Sequence, residues 1–562
     1  MQEPHPARPR PPRTHRSALL SAPLAALALL SLLVPALTLP AGVAGASAAA
    51  PEDPARPVVE TAEGPVRGRA HGAYATYEGL PYAAAPIGPQ RWRPPGPAPH
   101  RTGVLDAGTP GARCVQLPAL GPGGPSGSED CLFLNVTAPT GPERDRPVMV
   151  WFHGGGFRLG AGDLYRPGPL VTRGGAVVVT VNYRLGIFGF LGHPELGGAP
   201  GFGLADQQAA LRWVRANATR FGGDPGRVTV FGESAGGLSV CAHLVSPASA
   251  GLFARAISQS GPCSLTMPPY SLMPTLGAYE PFVPQERVVA AGAAAADRLG
   301  CGDHPPGGEL ACLRGLDAES LATPELMALF SGVPYGTELL PLEPRRALEA
   351  GRFHRVPVVQ GTTLDEMRVF VGQGLAADPV DGEPAYRRRL ATSFGPAAPR
   401  IEAAYPAADF PTAALAWAAA LSDASFTCPA LRDARALARH VPTYAYLFAD
   451  RDAPNRTGLA DVPGFPYGAS HGFELPYLFG TEALETPQQA LSERMEGYWT
   501  RFTRTGSPGA PGAVEWPRYG PSGGRVLRLA PGPGGTGPAD VAADRHCALW
   551  DGLSTPDQPS GR

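Results

Sequence analysis

The chain has 562 residues, 43% of them hydrophobic and 17% charged. That is enough apolar material for a large core and excludes wholesale disorder. A net charge of −2 leaves no excess of cations to neutralise phosphates, so a strongly basic nucleic-acid binder is excluded and no nucleic-acid partner is expected.

Residues 1–16 carry Arg8, Arg10, Arg13 and Arg16, and the stretch from Ser17 to Leu39 is almost wholly apolar. Small residues follow from Ala41 to Ala50. A basic start, an apolar middle and a small-residue end predict a secretory signal peptide over 1–50, cleaved near Ala48 or Ala50. A permanent membrane anchor is the rival, because the apolar run nearly reaches spanning length. The small-residue end favours cleavage, which leaves a secreted protein with no stable membrane anchor. Residues 51–562 are expected to form a single domain. Eight cysteines, an even number, favour disulfides in an exported chain. Cys114 and Cys131, like Cys301 and Cys312, are close in sequence and would close short loops.

Strand-like and helical stretches then alternate. Val148–Phe152 is a short apolar run that ends in His153 and three glycines. Ala176–Val181 is a β-branched run of buried-strand type, and Asp206–Phe221 has apolar residues at helical spacing. Val228–Phe231 reads as a strand, Leu238–Leu244 as a helix, and Val356–Gly361 and Thr443–Phe448 as later strands. Such alternation predicts βαβ units and an α/β fold with a mostly parallel central sheet. The Gly/Pro-rich stretches 119–127 and 529–538 read as a tethered surface loop and a mobile one.

The strongest chemical signal is Gly232-Glu233-Ser234-Ala235-Gly236, placed between a strand and a helix. Flanking glycines permit the sharp turn that lifts Ser234 out of the sheet edge, and the amides opening the next helix favour developing negative charge. Upstream, His153-Gly154-Gly155-Gly156-Phe157 closes another strand. Its glycine amides, with that of Ala235, would form an oxyanion hole. A serine hydrolase of this topology places the acid and then the histidine after the nucleophile. Of the histidines beyond Ser234, His471 sits in a Gly-flanked loop after the 443–448 strand, where a base could reach over the sheet. His243 lies in the helix after Ser234 and is expected to point elsewhere. Either Asp365 or Glu366, after the 356–361 strand, could orient the base, and the residues alone leave the choice open.

These motifs resemble those of the type-B carboxylesterase and cholinesterase family. So do Glu78-Gly79-Leu80-Pro81-Tyr82-Ala83, Arg91-Trp92, Ser128-Glu129-Asp130-Cys131-Leu132-Phe133-Leu134-Asn135-Val136, Asn182-Tyr183-Arg184-Leu185-Gly186, Gln259-Ser260-Gly261 and Cys547-Ala548-Leu549-Trp550-Asp551. The match runs from about residue 57 to 552. It implies an α/β-hydrolase fold with long loop and helix insertions over the active site. It further implies Ser234 as nucleophile, Glu366 as acid, His471 as base, and Gly155, Gly156 and Ala235 as oxyanion donors. The implied disulfides are Cys114–Cys131, Cys301–Cys312 and Cys428–Cys547, with Cys241 and Cys263 left over as a fourth pair. Glu129, Arg184 and Asp206 are implied to be structural ion-pair residues.

Three positions depart from the pattern. Met367 stands where the family usually has Gly, and Pro200-Gly201 where it prefers Gly-Asn. The 114–131 loop contains no Trp to stack on a quaternary amine, which points away from choline esters and toward a general carboxylesterase acting on small-molecule esters. The chemistry requires no cofactor and no metal, and nothing in the sequence sets an oligomeric state. A non-catalytic binding protein on the same scaffold, or cleavage of amides, thioesters or lipids, are the alternatives.

Overall fold

The computed structural model describes residues 53–553 except 119–122, 272–276, 303, 306 and 511. The expected signal segment lies outside the described residues. An eleven-stranded sheet organises the chain. In chain order its strands are β1 (Arg69–Ala70), β2 (Tyr74–Pro81), β3 (Phe133–Pro139), β4 (Arg146–Phe152), β5 (Val177–Val181) and β6 (Gly223–Glu233). They continue with β7 (Arg255–Gln259), β8 (Val358–Thr363), β9 (Thr443–Phe448), β10 (Val526–Leu529) and β11 (Gly537–Ala539). Across the sheet they run β11-β10-β9-β8-β7-β6-β4-β5-β3-β2-β1. Neighbours from β5 to β10 are parallel, and the pairs beyond them are antiparallel.

The residue pattern explains the difference between centre and edge. Every residue of β4 and β5 is buried, as a continuous apolar run requires when both sheet faces are covered. Strand β2 alternates between buried and partly buried residues, with an irregularity between Tyr77 and Leu80. Within β4 the side chains divide with period two. Val148, Val150 and Phe152 join a core that includes helices α1 (Phe202–Asn217), α2 (Ala235–Val245), α3 (Ala413–Ser422) and α4 (Cys428–Ala438). Met149 and Trp151 enter a second core with helix α5 (Thr486–Thr505).

Two expectations change. Helix α1 begins at Phe202, not Asp206, because Gly201 adopts a left-handed φ of 68° just before it and the first turn buries Phe202 and Leu204. The 529–538 stretch is a hairpin between β10 and β11, with Thr536 Oγ1 donating to Ala530 O at 3.0 Å. The structure joins Cys114 to Cys131, Cys241 to Cys263, Cys301 to Cys312 and Cys428 to Cys547. The last spans 119 residues, a separation for which the loop-closure account gives about 5 kcal/mol.

Candidate active site

Ser234 sits on the turn from β6 into α2 with φ 56° and ψ −122°, a strained conformation for a residue with a side chain, costing about 1–3 kcal/mol. Its amide donates to Gln259 O at 2.9 Å, which ties the turn to the end of β7. The flanking glycines are forced by close approach: a Cβ on Gly236 would lie 1.9 Å from Phe152 O, and one on Gly232 would lie 2.5 Å from Gly236 O. The loop after β4 presses against this turn, because a Cβ on Gly154 would meet Ser234 Cβ at 3.1 Å. Among the described residues, the amides of Gly155 and Gly156 have no acceptor, and Ala235 is the first residue of α2. Three amides beside a raised serine suit a carbonyl oxygen that gains negative charge.

His471 lies on the loop after β9, and its Nδ1 is 2.6 Å from Glu366 Oε2. Glu366 is fully buried, and its other oxygen accepts from Thr363 N at 2.8 Å. The imidazole packs between Phe370 and Phe426, each with its centroid 5.1 Å away. Phe426 belongs to a π turn, Asp423–Thr427, that joins α3 to α4. Asp365 turns the other way: Arg451 Nε donates to it at 3.0 Å, Arg368 Nη2 lies at 2.9 Å, and Ala469 N donates at 3.2 Å. Of the two adjacent carboxylates, only Glu366 contacts the histidine. Met367 has φ −85° and ψ −2°, a conformation open to any residue, so the turn needs no glycine there.

His471 Nε2 is buried and forms no hydrogen bond, with Ser234 or any other described residue. Its close neighbour is Glu233 Oε1, 3.1 Å away but not aligned for a hydrogen bond. Glu233 immediately precedes Ser234, so the serine turn and the histidine loop meet at the C-terminal ends of the parallel strands, where open α/β sheets bind ligands. The sequence pattern of the carboxylesterase family matches residues 55–550.

The chain belongs to the carboxylesterase family.

It is a carboxylic-ester hydrolase of the serine type. It is 36% identical to the para-nitrobenzyl esterase of Bacillus subtilis (strain 168), covering 82% of this chain and 92% of that one. It is 34% identical to the cocaine esterase of Oryctolagus cuniculus, covering 83% and 91%. A solved structure of a PNB esterase superimposes with a TM-score of 0.70 at 30% identity, covering 88% of this carboxylesterase and 99% of that chain.

The electrostatics of this carboxylesterase centre on residues that the sequence reading left without a role. Burial alone would lower the His471 pKa, but the carboxylates of Glu233 and Glu366 outweigh it and hold the group up at about 9. Glu474, three residues further on, is pushed up to about 8 by burial and by Glu233. Gln259 Nε2 holds one Glu474 oxygen at 3.0 Å and Trp499 Nε1 fixes Gln259 in turn, while Glu474 Oε2 has no partner among the described residues. Glu233 is raised by burial, against the pull of His471 and Arg456. Two carboxylates flanking the serine and histidine motifs were a signal the sequence did offer. The phenylalanines against His471 offered none, because only tertiary packing brings them there.

The other histidines near the site have different duties. Burial lowers His153 to about 4, and it stacks on Tyr183 beneath the glycine loop. His243 is lowered by burial to about 3 and lies in the core, 3.0 Å from Gln207 Oε1 and 2.9 Å from Ser249 Oγ.

Proposed function

We propose that the enzyme cleaves carboxylic esters through an acyl-enzyme, with Ser234 as nucleophile, His471 as base and Glu366 as the orienting acid. His471 Nε2 takes the Ser234 Oγ proton as Oγ attacks the ester carbon. Glu366 keeps the Nδ1–H tautomer and balances the imidazolium. The amides of Gly155, Gly156 and Ala235 receive the oxyanion, each worth roughly 3–4 kcal/mol. The C–O bond breaks and the alcohol leaves with the His471 proton. A water then gives its proton to His471, attacks the acyl carbon, releases the acid and restores Ser234.

The observation that carries this reading is the 2.6 Å contact between Glu366 and His471 beside the left-handed turn of Ser234. The export reading rests on segment 1–50 and gains support from the four disulfides. No described helix is long and apolar enough to cross a membrane. The test is hydrolysis of p-nitrophenyl acetate and butyrate by the mature protein beside Ser234→Ala. Activity in the first and background in the second supports the assignment, and full activity in Ser234→Ala overturns it.

A further inference from the structure

Of the four disulfides, one ends on the helix that opens at the serine turn. Cys241 lies on α2, seven residues after Ser234, and Cys263 lies on the loop after β7, four residues after Gln259. Both are buried. By the helical rise, Cys241 stands about 10 Å along α2 from the serine.

The contact that this bond spans is made of bare backbone. A Cβ on Gly237 would lie 2.6 Å from Gln259 O and 3.0 Å from Gly261 Cα, and one on Gly261 would lie 2.5 Å from the Gly237 carbonyl carbon. The chain turns left-handed on both sides of it, with φ 56° at Ser234 and φ 48° at Ser260. Such conformations persist in non-glycine residues only where the surroundings over-determine them. The Ser234 amide donates to Gln259 O at 2.9 Å, and the Ser260 amide donates to Gly361 O at 2.8 Å. Those bonds fix the two turns but not the body of α2. Glycine against glycine offers no interlocking side chains between helix and loop, so the disulfide supplies the lateral constraint that packing there does not. The loop is itself anchored beyond Cys263. Ser264 N donates to Asp433 Oδ2 on α4 at 3.1 Å, and Ser264 Oγ donates to the other carboxylate oxygen.

The start of α2 carries both Ser234 and the Ala235 amide. A slide or rotation of the helix would move both together, away from Gly155, Gly156 and His471, which stand on other segments. A misplacement of about 1 Å can cost of order 100-fold in rate.

We propose that the Cys241–Cys263 disulfide is a positioning crosslink for the reaction, setting α2 so that Ser234 Oγ and the Ala235 amide stay in register with the glycine loop and His471. The inference rests on the esterase reading above and adds two positioning residues to it.

The test removes the bond without emptying its site. Cys241→Ala/Cys263→Val, assayed on p-nitrophenyl acetate well below its melting temperature, should lose about five- to twentyfold in kcat with KM nearly unchanged. Fluorophosphonate labelling of Ser234 should slow in the same ratio. Labelling carried to completion counts the folded sites, which separates lost rate from lost protein. Cys263→Ala, with the Cys241 thiol still packed in the core, opens the same bond and should show the same loss. The control is Cys301→Ala/Cys312→Ala, which opens a loop docked on Glu195 through Gly307 N at 2.7 Å and Leu310 N at 2.9 Å. It should lower the melting temperature and leave kcat per site unchanged. An unchanged kcat per site in both open variants, an equal fall in the control, a change confined to KM, or failure of both open variants to fold each overturns the proposal. Hydrolysis that survives Ser234→Ala, or labelling at another residue, would instead strike the esterase assignment beneath it.

Discussion

Two sets of buried charges in this molecule are built on opposite plans. In the structural set, Arg184 grips Asp206 through Nε at 2.8 Å and Nη2 at 2.7 Å, and the Arg184 amide adds a third bond at 3.1 Å. Arg91 grips Glu129 in the same two-pronged way, at 2.6 and 2.5 Å, and reaches Leu316 O at 2.6 Å. Each carboxylate oxygen there meets a guanidinium nitrogen. At the catalytic edge the plan is reversed. Glu233 Oε1, Glu474 Oε2 and His471 Nε2 are buried without hydrogen-bond partners among the described residues. In the architectural pairs every carboxylate oxygen is engaged and, among the described residues, only Arg184 Nη1 lacks a partner, whereas at the serine–histidine edge a carboxylate oxygen of Glu233, one of Glu474 and the outer nitrogen of His471 all keep capacity for a proton or a substrate.

The contrast can be broken first at its catalytic end. Ser234→Ala removes the proposed nucleophile and should cost about 10⁴-fold or more in kcat, measured on p-nitrophenyl acetate, with an unchanged melting temperature. Glu366→Gln keeps the shape but loses the charge proposed to hold the His471 tautomer, and a loss of roughly 10³–10⁴-fold is expected. The neighbouring Asp365→Asn disturbs the contacts with Arg451 and Arg368 and should leave far more activity. Equal losses in the two variants would reverse the assignment of the acid.

At the structural end, Arg184→Met leaves the Asp206 carboxylate buried and unpaired. The expected cost is about 3–5 kcal/mol, read from urea unfolding. A neutral result would mean that the pair is as unsaturated as the catalytic charges.

The last prediction concerns pH. The proposed mechanism needs neutral His471, and its carboxylate neighbours raise its pKa to about 9. The rate should therefore climb from pH 5 through 8, and a flat profile there contradicts the base assignment. Glu233→Gln removes a charge that favours the imidazolium, so the rising limb should move to lower pH, by about one unit. A shift to higher pH would show that Glu233 does not act on His471 in this way.

The parallel core and the glycine motifs were legible in the sequence because their causes are local. Fully buried strands read as apolar runs, and the turn at Ser234 demands small neighbours on both sides. The choice between Asp365 and Glu366 was not local. The two are adjacent, and their directions are settled by Arg451 and Arg368 on one side and Thr363 N and His471 on the other. The start of α1 was missed because its first turn is set by the left-handed Gly201, whereas the apolar spacing becomes clear only after Asp206. Phe370, on the helix Arg368–Gly374, and Phe426, on the π turn, meet His471 only through tertiary packing that no periodicity encodes.

The most direct measurement is labelling of the mature protein with a fluorophosphonate, followed by intact mass and peptide mapping. The account predicts one adduct per chain, on Ser234, with loss of ester hydrolysis in proportion and no adduct in Ser234→Ala. An adduct on another residue, or full hydrolysis with Ser234 blocked, would contradict it.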